Sequence, residues 1–415
     1  MDRSKMNGNE TIVTTLSNGL KVVCRQVETQ AEYCGLFINA GSRDETKPRQ
    51  FGTAHFIEHT IFKSTLYHPA SYVLNRMEET GGELTAYTTK EETAVYSIFP
   101  EGYLDRAVEL LAELITSAAF KPDELDNERE VVLDEALSYR DNPAEAVYDD
   151  FDELFFKGNP LAHNILGTTK SIRNFNTKNC VEFRDRFYVA PNMVFFYLGP
   201  KPPFQVVKTV TREMSGIPTG TQPVPERVAP AIVKPFDKVI RIGSHQSHNL
   251  LGAPICNRNS DERFAFSLLA NMLAGPGMNS LLNVALREKN GLVYTVEASP
   301  SFYSDCGQMT IYYGCDKKDS ARCRDLIFQE IERVAAKKLT EEEIQRFKTQ
   351  FVGQARVGRD NYEQEALTLG RRLLFGFKPA SPNDIMRRIE PITADELAAC
   401  AEKLLPPFTS RLRME

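Results

Sequence analysis

The spacing of apolar positions changes period several times along the chain, and each change marks an element. Residues 11–23 alternate on both sides of Asn18-Gly19, a dipeptide suited to a tight two-residue turn, so a hairpin is predicted there. Residues 33–40 predict a strand, 83–99 a second hairpin turning near Lys90-Glu91, and the apolar run at 192–198 (NMVFFYL) a buried strand. Elsewhere in this half the period lengthens to that of a helix. One helix begins near His55, another covers 70–80, an amphipathic one covers 103–117, and a charged one covers 123–140.

Residues 213–230 follow neither period; they are dense in Pro, Gly and Thr, which predicts a linker. Beyond them the order of elements recurs loosely. Strands are predicted at 238–242 and 249–254, a helix at 264–273, a strand pair at 292–298 and 308–313, and a helix at 319–337. The expected fold class is therefore α+β: two structurally related domains, each a mostly antiparallel sheet with helices packed against it. They occupy 1–212 and 231–415, and 415 residues give each room for its own core.

The helix near 55 carries the chemistry. In His55-Phe-Ile-Glu58-His59, two imidazoles and a carboxylate share one face, since residues three and four apart are neighbours on a helix. Two neutral imidazoles one turn apart are how a helix grips zinc, and a carboxylate between them can take a proton from water. H-x-x-E-H is the inverted form of the zinc-peptidase signature. The chain has only six histidines, so the spacing is selective. A buried polar cluster on a packed helix is the competing reading. Thr53 stands where an N-cap belongs, and Phe56, Ile57, Ile61 and Phe62 supply apolar faces. The related helix at 264–273 has no His or Glu, so the second domain is expected to lack a metal site.

A catalytic zinc site needs three protein ligands and an open position, so one more Asp, Glu or His must come from elsewhere. The charged helix offers Glu128 and Glu135, two turns apart on one face. Spacing alone does not choose them over other acidic helices.

Composition narrows the setting. Apolar residues are 42% and charged residues 26%, ordinary for a soluble globular protein, and a net charge of −6 argues against nucleic acid. Eight scattered cysteines without a C-x-x-C pair suggest reduced thiols in a cytoplasm. The first residues show neither a secretory h-region nor an Arg/Ser-rich import stretch. No apolar run approaches the roughly 20 residues that span a bilayer. A cytoplasmic protein without membrane contact is expected.

The His55–His59 motif, followed by Glu135 in an E-R-x-V-V-x-x-E setting, resembles the inverzincin family of pitrilysin, insulin-degrading enzyme and mitochondrial processing peptidase. Leu16-Ser-Asn-Gly-Leu20, Gly41-Ser-Arg-Asp-Glu45, Gly81-Gly-Glu-Leu-Thr-Ala-Tyr-Thr88 and Leu286-Arg-Glu-Lys-Asn-Gly-Leu-Val-Tyr294 extend the resemblance over nearly the whole chain. It implies a zinc endopeptidase with one Zn2+ per chain, held by His55, His59 and Glu135. Glu58 would be the general base and Glu128 a supporting glutamate. Arg287 and Tyr294 match a pair that contacts substrate near the scissile carbonyl, with Gly291 ending a helix and Tyr294 on the next strand.

The resemblance further implies that peptide substrate adds as a strand beside 83–88, at Ala86, with Glu145 and Asp149 at positions that hold basic side chains in the processing peptidases. Thr85 departs from the Asn common there. Gly275-Pro-Gly277 resembles a glycine-rich loop of those enzymes, or is a plain helix-ending turn. His68, His163, His245 and His248 have no ligand spacing. A chain of this length matches half of the fused enzymes, which implies a homodimer enclosing substrate in a chamber between two chains. Two alternatives are a catalytically silent structural subunit, and an active subunit paired with a zinc-less homologue.

Overall fold

The computed structural model describes residues 11–220, 226–231, 234–379 and 382–415. The chain forms two compact units: Met1–Ala136 with His163–Glu226 and Gly358–Ala380, and Leu137–Ala162 with Arg227–Val357 and Ser381–Glu415.

The first unit holds a six-stranded sheet of β1 (Thr11–Thr15), β2 (Lys21–Gln26), β3 (Ala31–Ile38), β4 (Glu83–Thr88), β5 (Thr93–Pro100) and β6 (Met193–Gly199). Its order is β1-β2-β6-β3-β5-β4, with β2 and β6 parallel and every other pair antiparallel. β1 and β2 are the predicted hairpin, turned by Gly19 at φ +90°, a conformation glycine adopts without cost. The second unit holds β7 (Asp237–Ile240), β8 (Gln246–Ile255), β9 (Val293–Phe302), β10 (Gly307–Asp316) and β11 (Ser410–Met414), in the order β7-β11-β8-β10-β9. There β7 and β11 are the parallel pair.

Set β1 aside and the two sheets have one topology. β2-β6-β3-β5-β4 corresponds to β7-β11-β8-β10-β9, with the parallel pair at the same place in each. In each unit the second of these strands in chain order is followed by a helix: Thr53–Thr60 after β3, and Arg263–Ala274 after β8. The duplication expected from the recurring order of elements is present, and each sheet is mixed through its single parallel pair.

Both faces of each sheet are apolar, which is why the strands read as continuous hydrophobic runs. In the first unit Val22, Leu36 and Ile38 pack under Phe56, Leu111 and Phe183. Val23, Phe37 and Phe196, on the reverse face, are covered by Leu367 and Leu369 of the Tyr362–Leu374 helix. Gly370 lets that helix lie close, because a Cβ there would come within 2.7 Å of the Phe37 ring. The second sheet is treated alike: Leu250, Tyr312 and Leu412 on one face are covered by Val147 and Phe151 of the Pro143–Phe155 helix.

A division at 213–230 therefore leaves out two exchanges. Residues 137–162 pack with the second unit and 358–380 with the first, because each sheet's reverse face is covered by a helix from the other half of the sequence. Among the described residues no helix is long and apolar enough to cross a membrane.

Candidate metal centre

The first five α-helices in chain order are α1 (Thr53–Thr60), α2 (Ala70–Glu78), α3 (Leu104–Ser117), α4 (Pro122–Asp141) and α5 (Pro143–Phe155). α1 does not start as predicted. Its N-cap is Gly52 at φ +92°, and the Thr53 hydroxyl donates back to the Gln50 carbonyl at 2.6 Å. The first-turn amides are met instead by Glu45, whose two oxygens accept from Gly52 N and Ala54 N, each at 2.7 Å. A carboxyl group from outside the helix thus does what a Thr cap would have done.

Glu45 is buried and lies 3.0 Å from His163 Nε2, and the His163 ring stacks on Phe51 at 3.8 Å. Burial raises the Glu45 carboxyl well above its ordinary range, while burial and Lys90 lower His163 to about 4. His163 is thus a support of the helix start.

From that start α1 presents His55, Glu58 and His59 on one face. The imidazole centroids are 4.6 Å apart. Both acids of α4 reach this face, and they meet different atoms. Glu135 Oε2 lies 3.6 Å from His55 Nε2 and 3.2 Å from His59 Nε2, whereas Glu128 Oε1 lies 2.9 Å from His59 Nδ1. Lys63 Nζ is 2.7 Å from the other Glu128 oxygen. The choice that spacing left open resolves into two roles. Glu135 faces the two Nε2 atoms, and Glu128 meets one imidazole from behind. With the Nδ1 proton directed at Glu128, the Nε2 lone pair of a neutral His59 is aimed at the cluster.

One ligand atom from each of His55, His59 and Glu135 lies within 4.8 Å of the others. Glu135 Oε2 is buried and accepts a hydrogen bond from no group. Converging buried acceptors without donors are costly unless a cation satisfies them, so these residues fit a divalent metal. Two imidazoles and one carboxylate with no thiolate is a donor set that suits catalytic zinc.

Electrostatics separates the two histidines. Burial, with His59 nearby, lowers His55 to about 3. Burial also opposes the charge on His59, but Glu128, Glu135 and Glu58 outweigh it and His59 ends above its ordinary value. Glu128 would be raised by burial, yet His59 and Lys63 hold it low. His59 therefore holds a proton more readily than a free imidazole, and His55 far less readily. A metal ion that takes the His59 nitrogen displaces any proton the ring carries, so its affinity should fall about tenfold for each pH unit below the His59 pKa. A chelator-competition titration between about pH 5 and 8 checks the slope. A hundredfold loss per unit would mean that both rings titrate.

Glu58 is not one of the three converging groups. Its Oε2 is buried without a hydrogen-bond partner, and burial raises its carboxyl against the pull of Thr88 and His59. Thr88 ends β4, which is the last strand of its sheet, so among the described residues one side of β4 has no neighbouring strand. No Pro or Lys interrupts Glu83–Thr88, as guarded edges commonly have. Ala86 and Thr85 lie in the middle of this strand.

The remaining candidates lie in the second unit. Arg287 belongs to a π-helical turn, Asn283–Glu288, with its side chain half exposed. Gly291, at φ +60°, ends that turn, and Tyr294 follows on β9 with 86% of its surface exposed. Glu145 and Asp149 lie on α5, the first exposed and the second half-buried. Gly275 ends the Arg263–Ala274 helix, and Asn279, two residues after Gly277, exchanges hydrogen bonds with Gln350 at 2.9 and 3.1 Å. His68 pairs with Glu113 and His248 with the Tyr312 hydroxyl, while His245 is exposed. Among the described residues no second group of metal-ligating side chains gathers.

Lys63 and His163 were not singled out from sequence, and Glu45 only as part of a motif. Lys63 had a signal, one turn beyond His59; His163 had none.

Two mixed sheets of equal topology, with a two-histidine, one-carboxylate cluster on the helices of the first unit, define a duplicated α+β scaffold with one metal-type centre among the described residues. The chain belongs to the insulinase family of peptidases, family M16: the family model for its insulinase domain matches residues 21–169, and that for the "Peptidase M16 inactive domain" matches 174–351. It is 30% identical to an "uncharacterized zinc protease" of Streptomyces coelicolor over 94% of this chain and 86% of that one. A Rickettsia bellii protein of the same description is also 30% identical, covering 94% of both chains. A crystal structure of a protease from Helicobacter pylori has the same fold, with a TM-score of 0.89 at 21% identity over 98% of this chain and 100% of that one. The "inactive" second model fits a second unit in which the Arg263–Ala274 helix holds no His or Glu.

Proposed function

We propose that the chain is a zinc-dependent endopeptidase acting on peptides or unstructured segments, with one zinc per chain. The observation that carries this reading is the meeting of His55, His59 and Glu135 within 4.8 Å, with Glu128 fixing the His59 tautomer from behind. The names of the relatives support the same reaction class. Zinc in this position supplies Lewis acidity, lowering the pKa of water to about 7 and polarising a carbonyl.

The chain's own residues do the rest. Glu58, half-buried with one buried oxygen that has no hydrogen-bond partner, accepts a proton from the attacking water and returns it to the leaving amine. Its raised pKa matches that double role better than an ordinary carboxylate would. An extended peptide adds to the open edge of β4 around Ala86, held by main-chain hydrogen bonds, so sequence preference is broad. Arg287 and Tyr294 donate to the developing oxyanion, reaching the site from a second copy of the chain, and two copies enclose substrate in a chamber. Glu145 and Asp149 add acidic positions for basic substrate side chains. Eight free cysteines suit a reducing cytoplasm.

A quenched peptide tests the reaction. Chelation should abolish cleavage and stoichiometric zinc should restore it. A purified, folded, zinc-loaded chain that leaves a peptide library uncut would defeat the reading.

A further inference from the structure

The residues that fit zinc leave one cation unexplained. Lys63 stands just beyond the end of α1, one turn after His59, with about a third of its side chain exposed. Its Nζ lies 2.7 Å from Glu128 Oε2. The other Glu128 oxygen, Oε1, lies 2.9 Å from His59 Nδ1. Glu128 itself is buried. A relay of three groups therefore ends on a ligand ring: ammonium, carboxylate, imidazole.

A carboxylate behind a ligating histidine does two things. It fixes the ring, and it draws the Nδ1 proton, which raises electron density on Nε2. An unneutralised buried carboxylate would do the second strongly. It would also place a full negative charge close to the cation, at low effective dielectric. A cation on the far oxygen reduces both effects and leaves the ring orientation intact.

We propose that Lys63 is a positioning residue that limits how much charge Glu128 passes to His59, trading zinc affinity for Lewis acidity. The inference rests on the zinc-peptidase reading above. Lys63 touches neither substrate nor metal. It acts only through Glu128.

The sign of the effect separates this role from simple anchoring. With Lys63→Met in the full-length chain, zinc should bind about tenfold more tightly in competition with a chromogenic chelator. The kcat should fall about three- to tenfold at unchanged KM, because the tighter site polarises less. The visible bands of the cobalt-loaded protein should shift, reporting a changed ligand field without reference to turnover. Lys63→Arg keeps the charge and should match wild type in all three readouts. Should the Met side chain not be tolerated, Lys63→Gln removes the same charge with a polar side chain.

Glu128→Gln provides the contrast, weakening zinc by about 10–100-fold as expected for a lost partner behind a ligand. Lys63→Met that leaves zinc affinity unchanged, or lowers it as Glu128→Gln does, would overturn the proposal and make Lys63 an anchor. Failure of the zinc reading itself would look different: His55→Ala would then bind zinc as wild type does, whatever Lys63→Met showed.

Discussion

Glu58→Gln keeps its zinc and loses about 10²–10⁴-fold in kcat. The substitution preserves size and shape, and Glu58 is outside the group whose atoms converge within 4.8 Å, so metal content should stay at one per chain. What disappears is the ability to hold a proton. Wild-type Glu58 is raised by burial and has an unpartnered oxygen, the two properties a proton carrier needs. Glutamine cannot take the proton at any pH. KM should change little, since substrate is held by the β4 edge rather than by this side chain. Metal analysis beside peptide kinetics checks both halves, and loss of zinc from Glu58→Gln would move Glu58 from base to ligand.

The paired substitution Arg287→Ala/Tyr294→Ala should lower kcat by about 10²–10³-fold or more, the usual effect of removing an oxyanion donor. Both side chains are solvent-exposed in the second unit, and neither shapes its core. Folding and zinc affinity should therefore be untouched. The more telling experiment mixes this chain with Glu58→Gln. If the pair serves the site of a partner, random reassortment makes half the dimers mixed, and each mixed dimer has one intact site. About a quarter of wild-type activity should return. Mixed dimers that remain inactive while both chains are folded would place the pair on its own chain's site, or on none.

Legibility in the sequence followed locality. The histidine–glutamate spacing depends on a single helix, so α1 and its chemical face were readable at once. Strand pairs joined by short turns, β1–β2, β4–β5 and β9–β10, were equally local, and Gly291 marked a helix end through its positive φ. The helices that cover the reverse faces carry no such local mark. Nothing in Pro143–Phe155 or Tyr362–Leu374 says which sheet each will cover, and a linker at 213–230 implies that it stays with its own half. The long-range partner won over sequence proximity.

The site shows the same limit. Glu128 and Glu135 look alike along α4, and only the rotation of that helix against α1 gives one the Nε2 side and the other the Nδ1 side. Thr53 satisfied the local rule for a cap. Glu45, seven residues before Gly52, met the amides instead, because a fully buried carboxylate needs those donors more than a threonine does.

One measurement tests the central claim directly: zinc-edge X-ray absorption on the purified full-length chain, repeated on His55→Ala and Glu135→Gln. A first shell of nitrogen and oxygen at about 2.0–2.2 Å, with one zinc per chain that either substitution disrupts, is the expected result. A sulfur shell near about 2.3 Å, or stoichiometric zinc with an unaltered first shell in both variants, would contradict it.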